Sequence, residues 1–147
     1  MIRFSQASLS TLIQKGGHDC ACGRHHGVDM DYLSIKSGAV QEIPQALCAM
    51  GKKKPFIICD KNTKAAAWDR VKPVLDSAGI EYVLFCLPMA HVEPNEQAMG
   101  AIIMGFDPSC DCVMGIGSGV VNDCSKVLAF MTGRKTMIVG TAPSMDG

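Results

Sequence analysis

The chain has 147 residues, with 14 Lys and Arg against 14 Asp and Glu, and 48% of its residues are hydrophobic. This length suits one domain with a substantial core, and the zero net charge argues against a nucleic-acid or anionic-membrane partner. No apolar run approaches the ~20 residues that span a bilayer, and the N-terminus lacks the features of a secretory signal, so we expect a cytoplasmic protein.

The first distinctive segment is HDCACGRHH, residues 18–26, which holds two of the eight cysteines and three of the four histidines. It could chelate a metal, but zinc knuckles mostly place two to four residues between cysteines, whereas this segment has one. An irregular loop or hairpin with incidental thiols is therefore the preferred interpretation. Because the other cysteines lie mostly in apolar segments, we expect a reduced chain without disulfides.

Five candidate strands alternate with candidate helices along the rest of the chain. The strands are 31–36, 55–60, 80–87, 110–117 and 135–140. The helices are 38–51, 62–79, 91–107 and 120–133. Pro44 indicates a kink or a late start of the first helix, Asn62 or Thr63 suits the N-cap of the second, and Pro94 suits the first turn of the third.

This alternation predicts one α/β domain, residues 1–147, with an open and mostly parallel Rossmann-like sheet covered by helices on both faces. Ligands of such sheets bind outside the carboxyl ends of the strands. Three loops are expected at that edge: the loop that starts at Asp60, the GSGVVND turn at 117–123, and the TAPSMDG segment at 141–147.

The glycine turn carries the first functional signal, because Gly115, Gly117 and Gly119 separate an apolar strand from a helix. Glycines allow positive φ and close approach of a ligand, and the helix that follows offers free amides to an anion. A P-loop would need Lys-Ser/Thr after the last glycine, and the G-x-G-x-x-G dinucleotide spacing also fails. A phosphate site and a purely structural turn both remain open.

Asp60 is the second signal, since an acidic residue at a strand end often accepts hydrogen bonds from the ribose hydroxyls of a dinucleotide. Capping of the helix that follows is an equally good interpretation of this residue. The TAPSMDG segment is the third signal, because it places hydroxyls, a proline and a carboxylate directly after a strand.

Together, GSGVVND and TAPSMDG resemble the sn-glycerol-1-phosphate dehydrogenase family, within the superfamily of iron-containing alcohol dehydrogenase, glycerol dehydrogenase and dehydroquinate synthase. The segment CACGRHHGVDM is similar to the C-x-C-G-x-x-H segment of bacterial members. One departure is Gly140, where the family usually has Pro. The resemblance implies the N-terminal, NAD(P)-binding domain of the dehydroquinate synthase-like fold.

The resemblance also implies a role for each matching residue. The pyrophosphate of NAD or NADP would lie against Gly117, Gly119, Val120, Val121, Asn122 and Asp123. The nicotinamide half of the cofactor would contact Thr141, Ala142, Pro143 and Ser144. Asp60 would hold the adenosine ribose, and Asp146 would bind a hydroxyl of a phosphorylated triose.

The reaction implied is hydride transfer between NAD(P)H and C2 of dihydroxyacetone phosphate, giving sn-glycerol 1-phosphate in a homo-oligomeric, dimeric enzyme. In the family a zinc or nickel ion polarises the carbonyl, held by one Asp and two His of a helical domain after SMDG. The four histidines of this chain match none of those ligands, so we expect the cofactor half of such an enzyme, inactive alone. Alternatives are a glycerol dehydrogenase, a 3-dehydroquinate synthase-like enzyme, a non-catalytic nucleotide-binding module, or a thiol or metal-binding protein.

Overall fold

The computed structural model describes residues 8, 11, 13, 16–28 and 30–143. The chain divides into two compact units, Met1–Leu33 and Ser34–Gly147. In the part of the chain that is described, none of the helices has both the length and the apolar character needed to cross a membrane.

The first unit contains a short antiparallel hairpin. Strand β1 (His18–Asp19) pairs with β2 (His25–His26), with His18 opposite His26 and Asp19 opposite His25. The connecting turn is closed by two backbone hydrogen bonds, in which the Cys20 amide donates to the Arg24 carbonyl at 3.0 Å and the Gly23 amide donates to the Cys20 carbonyl at 3.1 Å. The segment predicted as a loop or hairpin is therefore a hairpin.

The second unit begins with a 3-10 turn, Ala39–Glu42, and then alternates helices with strands. The helices are α1 (Ile43–Met50), α2 (Lys61–Ser77), α3 (Glu96–Gly105) and α4 (Gly119–Thr132). The strands are β3 (Pro55–Cys59), β4 (Val83–Cys86), β5 (Cys112–Gly117) and β6 (Lys135–Gly140).

The four strands form one parallel sheet in the order β4-β3-β5-β6. Every residue of β3 and β5 is buried, whereas the edge strands β4 and β6 are partly exposed. Continuous apolar strands in the centre of a sheet require cover on both faces. The predicted doubly covered α/β sheet is thus confirmed.

Helices cover the two faces of the sheet in pairs. On one face, α1 and α2 pack against Ile57 and Met114, burying Leu47 and Leu75. On the other face, α3 and α4 pack against Phe56, burying their own residues Ala98, Ile102, Cys124 and Leu128. The connection β3-α2-β4 therefore runs over one face, whereas β4-α3-β5 and β5-α4-β6 run over the other.

One predicted strand is wrong. Residues 31–36 form no strand; Ile35 is 73% exposed, and none of the six residues is fully buried. A strand needs a pairing partner and a buried face to be stable. Among the residues that the structure describes, the parallel sheet accordingly has four strands where five were predicted.

Two helix starts differ in detail from the prediction, and a third agrees with it. Helix α1 starts late, with Pro44 in its first turn, as one of the two predicted outcomes for that proline. The N-cap of α2 is Asp60, where Asn62 or Thr63 was predicted, and the N-cap of α3 is Asn95, so Pro94 lies outside that helix. The Asp60 carboxylate accepts hydrogen bonds from backbone amides in the first turn of α2, and the side-chain oxygen of Asn95 accepts one in the first turn of α3.

Asp111 fastens the start of β5 to the loop before β3. Its carboxylate accepts the Lys53 amide at 2.8 Å and the Lys54 amide at 3.0 Å, and its own amide donates to the Lys54 carbonyl at 3.0 Å. Burial acts to raise the pKa of Asp111, but the amide hydrogen bonds from Lys54 and Lys53 outweigh it, so the pKa lies below its ordinary value of 3.8.

The lowered pKa makes Asp111 a source of stability that acid removes. Its contribution is present above the unfolded pKa and is lost as the pH falls through the folded pKa. We expect Asp111→Asn to unfold at lower urea concentration than the wild type at about pH 6, and to lose less further stability on going to about pH 3. Asp69→Asn, on the exposed side of α2, is the control and should follow the wild type. Parallel losses in wild type and Asp111→Asn would contradict this role.

Candidate functional site

The order of the strands defines a crevice between β3 and β5. These strands are neighbours and parallel, but the chain leaves β3 toward β4 over one face and leaves β5 toward β6 over the other. Their carboxyl ends therefore open onto a topological switch point, the usual ligand site of an open α/β sheet. Asp60 follows β3, and Ser118 and Gly119 follow β5.

Helix α4 begins at this crevice without a side-chain cap. Ser118 is its N-cap in extended conformation, and the serine side chain makes no cap hydrogen bond. The Asn122 amide donates to the Ser118 carbonyl at 3.0 Å, so the amides of Gly119, Val120 and Val121 precede the helical ladder. In proteins, three such amides at the positive end of a helix dipole are groups that bind anions.

The three glycines of the turn have different tasks. A Cβ at Gly115 would lie 2.6 Å from Ser125 Oγ and 2.9 Å from Ile138 Cδ1, and one at Gly117 would lie 2.5 Å from Val121 Cβ. A Cβ at Gly119 would meet nothing within 4 Å. None of the three has positive φ, so the conformational freedom expected of them is not used. The first two let α4 pack on β5, and the third has open space where a side chain would be.

The side chains of the turn divide into buried and exposed groups. Val121 and Asn122 are buried, whereas Val120 is half-buried and Asp123 is exposed. Asp123 Oδ1 lies 3.3 Å from Nζ of Lys126 in an ion pair. The Asn122 amide is used inside the helix, which leaves Gly119, Val120 and Val121 as the predicted cofactor residues whose amides face the helix end.

Asp60 caps α2 in a reciprocal arrangement with Thr63. Asp60 Oδ1 accepts the Asn62 amide at 2.7 Å and the Thr63 amide at 2.8 Å. In return the Asp60 amide donates to Thr63 Oγ1 at 3.0 Å. The capping interpretation of Asp60 is therefore correct, and both cap bonds to its carboxylate use the same oxygen. The spacing of Asp60 and Thr63 in DKNT carried this signal in the sequence.

The third predicted loop adjoins the glycine turn. Gly140 pairs with Gly117 across β5 and β6, and the Thr141 amide donates to the Gly117 carbonyl at 3.0 Å. Thr141 and Ala142 are half-buried and Pro143 is exposed. Ser144 and Asp146 lie outside the described residues, so their predicted contacts remain predictions.

Ser118 was absent from the predicted site, although it occupies the junction between β5 and α4. A serine between two glycines at a strand–helix boundary is a typical N-cap, and this pattern could have identified it. Its hydroxyl does not cap the helix.

Two thiols of the central strands are unreactive because they are buried. Burial raises the pKa of Cys59, the residue before Asp60, to about 12, and burial likewise raises the pKa of Cys112 to about 12. Both stay protonated near neutral pH, and a thiol is a poor nucleophile and metal ligand. In the part of the chain that is described, the converging group of metal-ligand side chains is Cys20, Cys22 and His26 of the first unit.

A pair of glycine variants separates packing from ligand space. We expect Gly115→Ala to lower the urea midpoint of unfolding, with a cost of about 1–3 kcal/mol, because its methyl group overpacks the contact with Ser125. Gly119→Ala should keep the midpoint or raise it slightly, because its methyl group enters open space at the first turn of a helix. Equal midpoints for the two variants would refute this division of tasks.

Comparisons with known proteins agree with this geometry. The model of the family described as iron-containing alcohol dehydrogenase matches residues 34–147. Glycerol-1-phosphate dehydrogenase (NAD(P)+) of Halalkalibacterium halodurans is 28% identical over 134 residues, covering 88% of this chain and 33% of the relative. The same-named protein of Thermofilum pendens is 30% identical over 115 residues, covering 77% of this chain and 31% of the relative.

Solved structures show the same fold. Glycerol dehydrogenase of Schizosaccharomyces pombe superposes with a TM-score of 0.61 at 14% identity, covering 69% of this chain and 25% of that one. NADH-dependent butanol dehydrogenase A of Thermotoga maritima gives a TM-score of 0.52 at 21% identity, covering 68% of this chain and 27% of that one. The chain thus spans about a third of the length of its curated relatives. The family predicted from the sequence agrees with the observed sheet and with the family match. The chain belongs to the iron-containing alcohol dehydrogenase family.

Proposed function

We propose that this chain is the dinucleotide-binding part of an NAD(P)-dependent polyol-phosphate dehydrogenase, of the glycerol-1-phosphate dehydrogenase type. The observation that carries the proposal is the start of α4 at the switch point, which has no side-chain cap and has open space where a side chain of Gly119 would be. An enzyme of this type transfers a hydride between NAD(P)H and C2 of dihydroxyacetone phosphate. The names of the curated relatives support this reaction.

The pyrophosphate of the cofactor is assigned to the start of α4. Amides of Gly119, Val120 and Val121 would donate to its oxygens, and the Ser118 hydroxyl is close enough in sequence to add a further donor. Because Gly119 has no side chain, the phosphate can approach the helix axis directly. The chain needs no lysine for this task, since the helix end supplies the positive potential.

Asp60 is assigned to the adenosine ribose in addition to its cap. The helix amides use Oδ1, which leaves Oδ2 as the acceptor for the 2′ and 3′ hydroxyls. The cap then has a second use, because it holds the carboxylate in one orientation at the mouth of the crevice. A negative charge at this position disfavours the 2′-phosphate of NADP, so we expect a preference for NAD.

The substrate side of the reaction lies outside this assignment. Ser144 and Asp146 are proposed contacts of the nicotinamide and the triose, and the described residues offer no ligand set at the crevice for the zinc or nickel ion of the reaction. We assign those ligands to the remainder of a protein as long as the relatives. This chain then binds and orients the cofactor, and we expect it to turn over no substrate by itself.

Two other enzymes of the superfamily share this cofactor chemistry. A glycerol dehydrogenase or a 3-dehydroquinate synthase-like enzyme would use the same turn, and the SMDG segment favours the glycerol-1-phosphate type. The dimeric state expected from the resemblance and the cytoplasmic location expected from the sequence stay predictions.

Binding of reduced cofactor to the chain tests the assignment of α4. We expect NADH to saturate the chain in a fluorescence titration, and Gly119→Val to raise the dissociation constant at least about tenfold, because the added side chain fills the phosphate space. Gly100→Val in α3 is the matched control, since its position also has open space around it but lies in another helix. Equal dissociation constants for the two variants would exclude this end of α4 as the pyrophosphate site.

The ratio of NADPH to NADH affinity tests the role of Asp60. Asn is as good an N-cap as Asp, so Asp60→Asn should keep the stability while it removes the charge that faces the ribose. We expect the variant to bind NADPH more tightly relative to NADH than the wild type does. Asp60→Ala should lose about 0.5–2 kcal/mol of stability as well, because it removes the cap. An affinity ratio that is unchanged in Asp60→Asn would limit Asp60 to capping.

A further inference from the structure

The hairpin of the first unit brings three metal-ligand side chains to one point. Sγ of Cys20, Sγ of Cys22 and a ring nitrogen of His26 all lie within 4.8 Å of one another, and Cys22 Sγ lies 3.1 Å from His26 Nε2. We propose that these three residues bind one zinc ion. The proposal does not depend on the dehydrogenase assignment, because none of the three residues belongs to the unit that carries the crevice.

The separations fit a tetrahedral site. With Zn–S bonds of about 2.3 Å and Zn–N bonds of about 2.0 Å, neighbouring ligand atoms are roughly 3.5–3.8 Å apart. The observed atoms lie within 4.8 Å of one another, so binding requires shifts of about an ångström. The single residue between the two cysteines argued against a zinc site in the sequence, but the hairpin supplies the third ligand from its second strand.

The hairpin holds these ligands in place through its backbone. The turn bonds of Cys20 fix the loop that carries both thiols, and Gly23 in the turn has φ of 81°, which favours glycine. A Cβ at Gly17 would lie 2.3 Å from the His26 carbonyl oxygen, so glycine there lets the chain pass close to β2. The backbone hydrogen bonds and the two glycines thus hold the loop that carries the ligands in its observed conformation.

Histidines on either side of the cluster have other partners. The ring of His18 stacks on that of His26 with centroids 6.2 Å apart, which orients the ligand ring. His25 Nδ1 lies 2.9 Å from Asp19 Oδ1 and its Nε2 lies 2.8 Å from the Gly16 carbonyl oxygen. Both nitrogens of His25 are therefore engaged, and His26 is the ligand.

Two thiolates and one imidazole select zinc among the common divalent ions, since calcium and magnesium prefer oxygen ligands. Cys22 and His26 are exposed, so the ion can enter from solvent, and a water can complete the fourth position. The strands of this hairpin have two residues each, and such a short hairpin is marginal in water by itself. A bound zinc ion would therefore supply much of its stability.

Zinc titration of the reduced 147-residue chain tests the site. After removal of metal with a chelator, we expect one Zn²⁺ per chain in competition with a chromophoric chelator, and thiolate-to-metal absorption when Co²⁺ is used as the probe. Changes to residues outside a ligand set typically weaken metal binding by roughly 10–100-fold. Cys22→Ser and His26→Asn each remove a ligand, so each should raise the dissociation constant for Zn²⁺ by more than that. Cys48→Ser, an exposed thiol of the other unit, is the matched control and should bind like the wild type.

Thiol protection in the wild type gives a second measurement that needs no variant. Zn²⁺ should protect Cys20 and Cys22 from iodoacetamide, read by mass spectrometry of the peptides, while Cys48 stays reactive. Failure to bind one Zn²⁺, undiminished binding by both ligand variants, or equal labelling of Cys20 and Cys22 with and without zinc would each overturn the proposal. NADH binding is measured separately, so either assignment can fail without the other.

Discussion

The contact between α4 and β5 is the constraint on which the candidate site depends. Ser125 and Val121 of the helix lie where the Cβ atoms of Gly115 and Gly117 would be, so the helix reaches the sheet only because these positions have no side chain. That close contact brings the start of α4 directly to the end of β5. At the following glycine, Gly119, a Cβ would meet open space. One run of alternate glycines thus fixes both where the helix starts and what can reach it.

The topology converts this local geometry into a site. Because β3 and β5 are neighbours whose connections run over opposite faces, their two loops diverge and leave a crevice between them. Asp60 stands on one side and the start of α4 on the other, and each belongs to a helix terminus. Their backbones are held by capping or packing, so the Asp60 carboxylate and the amides at the start of α4 keep constant positions.

Much of this arrangement could be predicted from the sequence, since long apolar runs and glycine or proline boundaries identify β3, β5, β6 and their helices. The segment 31–36 failed because local β propensity does not provide a pairing partner, which only the tertiary fold decides. Asp60 was correctly placed at the strand end. An acidic residue at that position fits both a helix cap and the proposed ribose contact, so the sequence pattern alone does not distinguish the two roles. Conversely, the convergence of Cys20, Cys22 and His26 depends on hairpin register, which a spacing rule does not contain.

The eight cysteines of the chain differ in what an oxidant can reach. Cys59, Cys110, Cys112 and Cys124 are buried within the second unit, and burial raises the pKa of each thiol. Peroxide and electrophiles attack thiolates that solvent can reach, so they meet the exposed Cys22 and Cys48 first, followed by the half-buried Cys20 and Cys86. Oxidative damage therefore begins at the hairpin and at α1, and the core beneath the crevice is reached only when the domain unfolds.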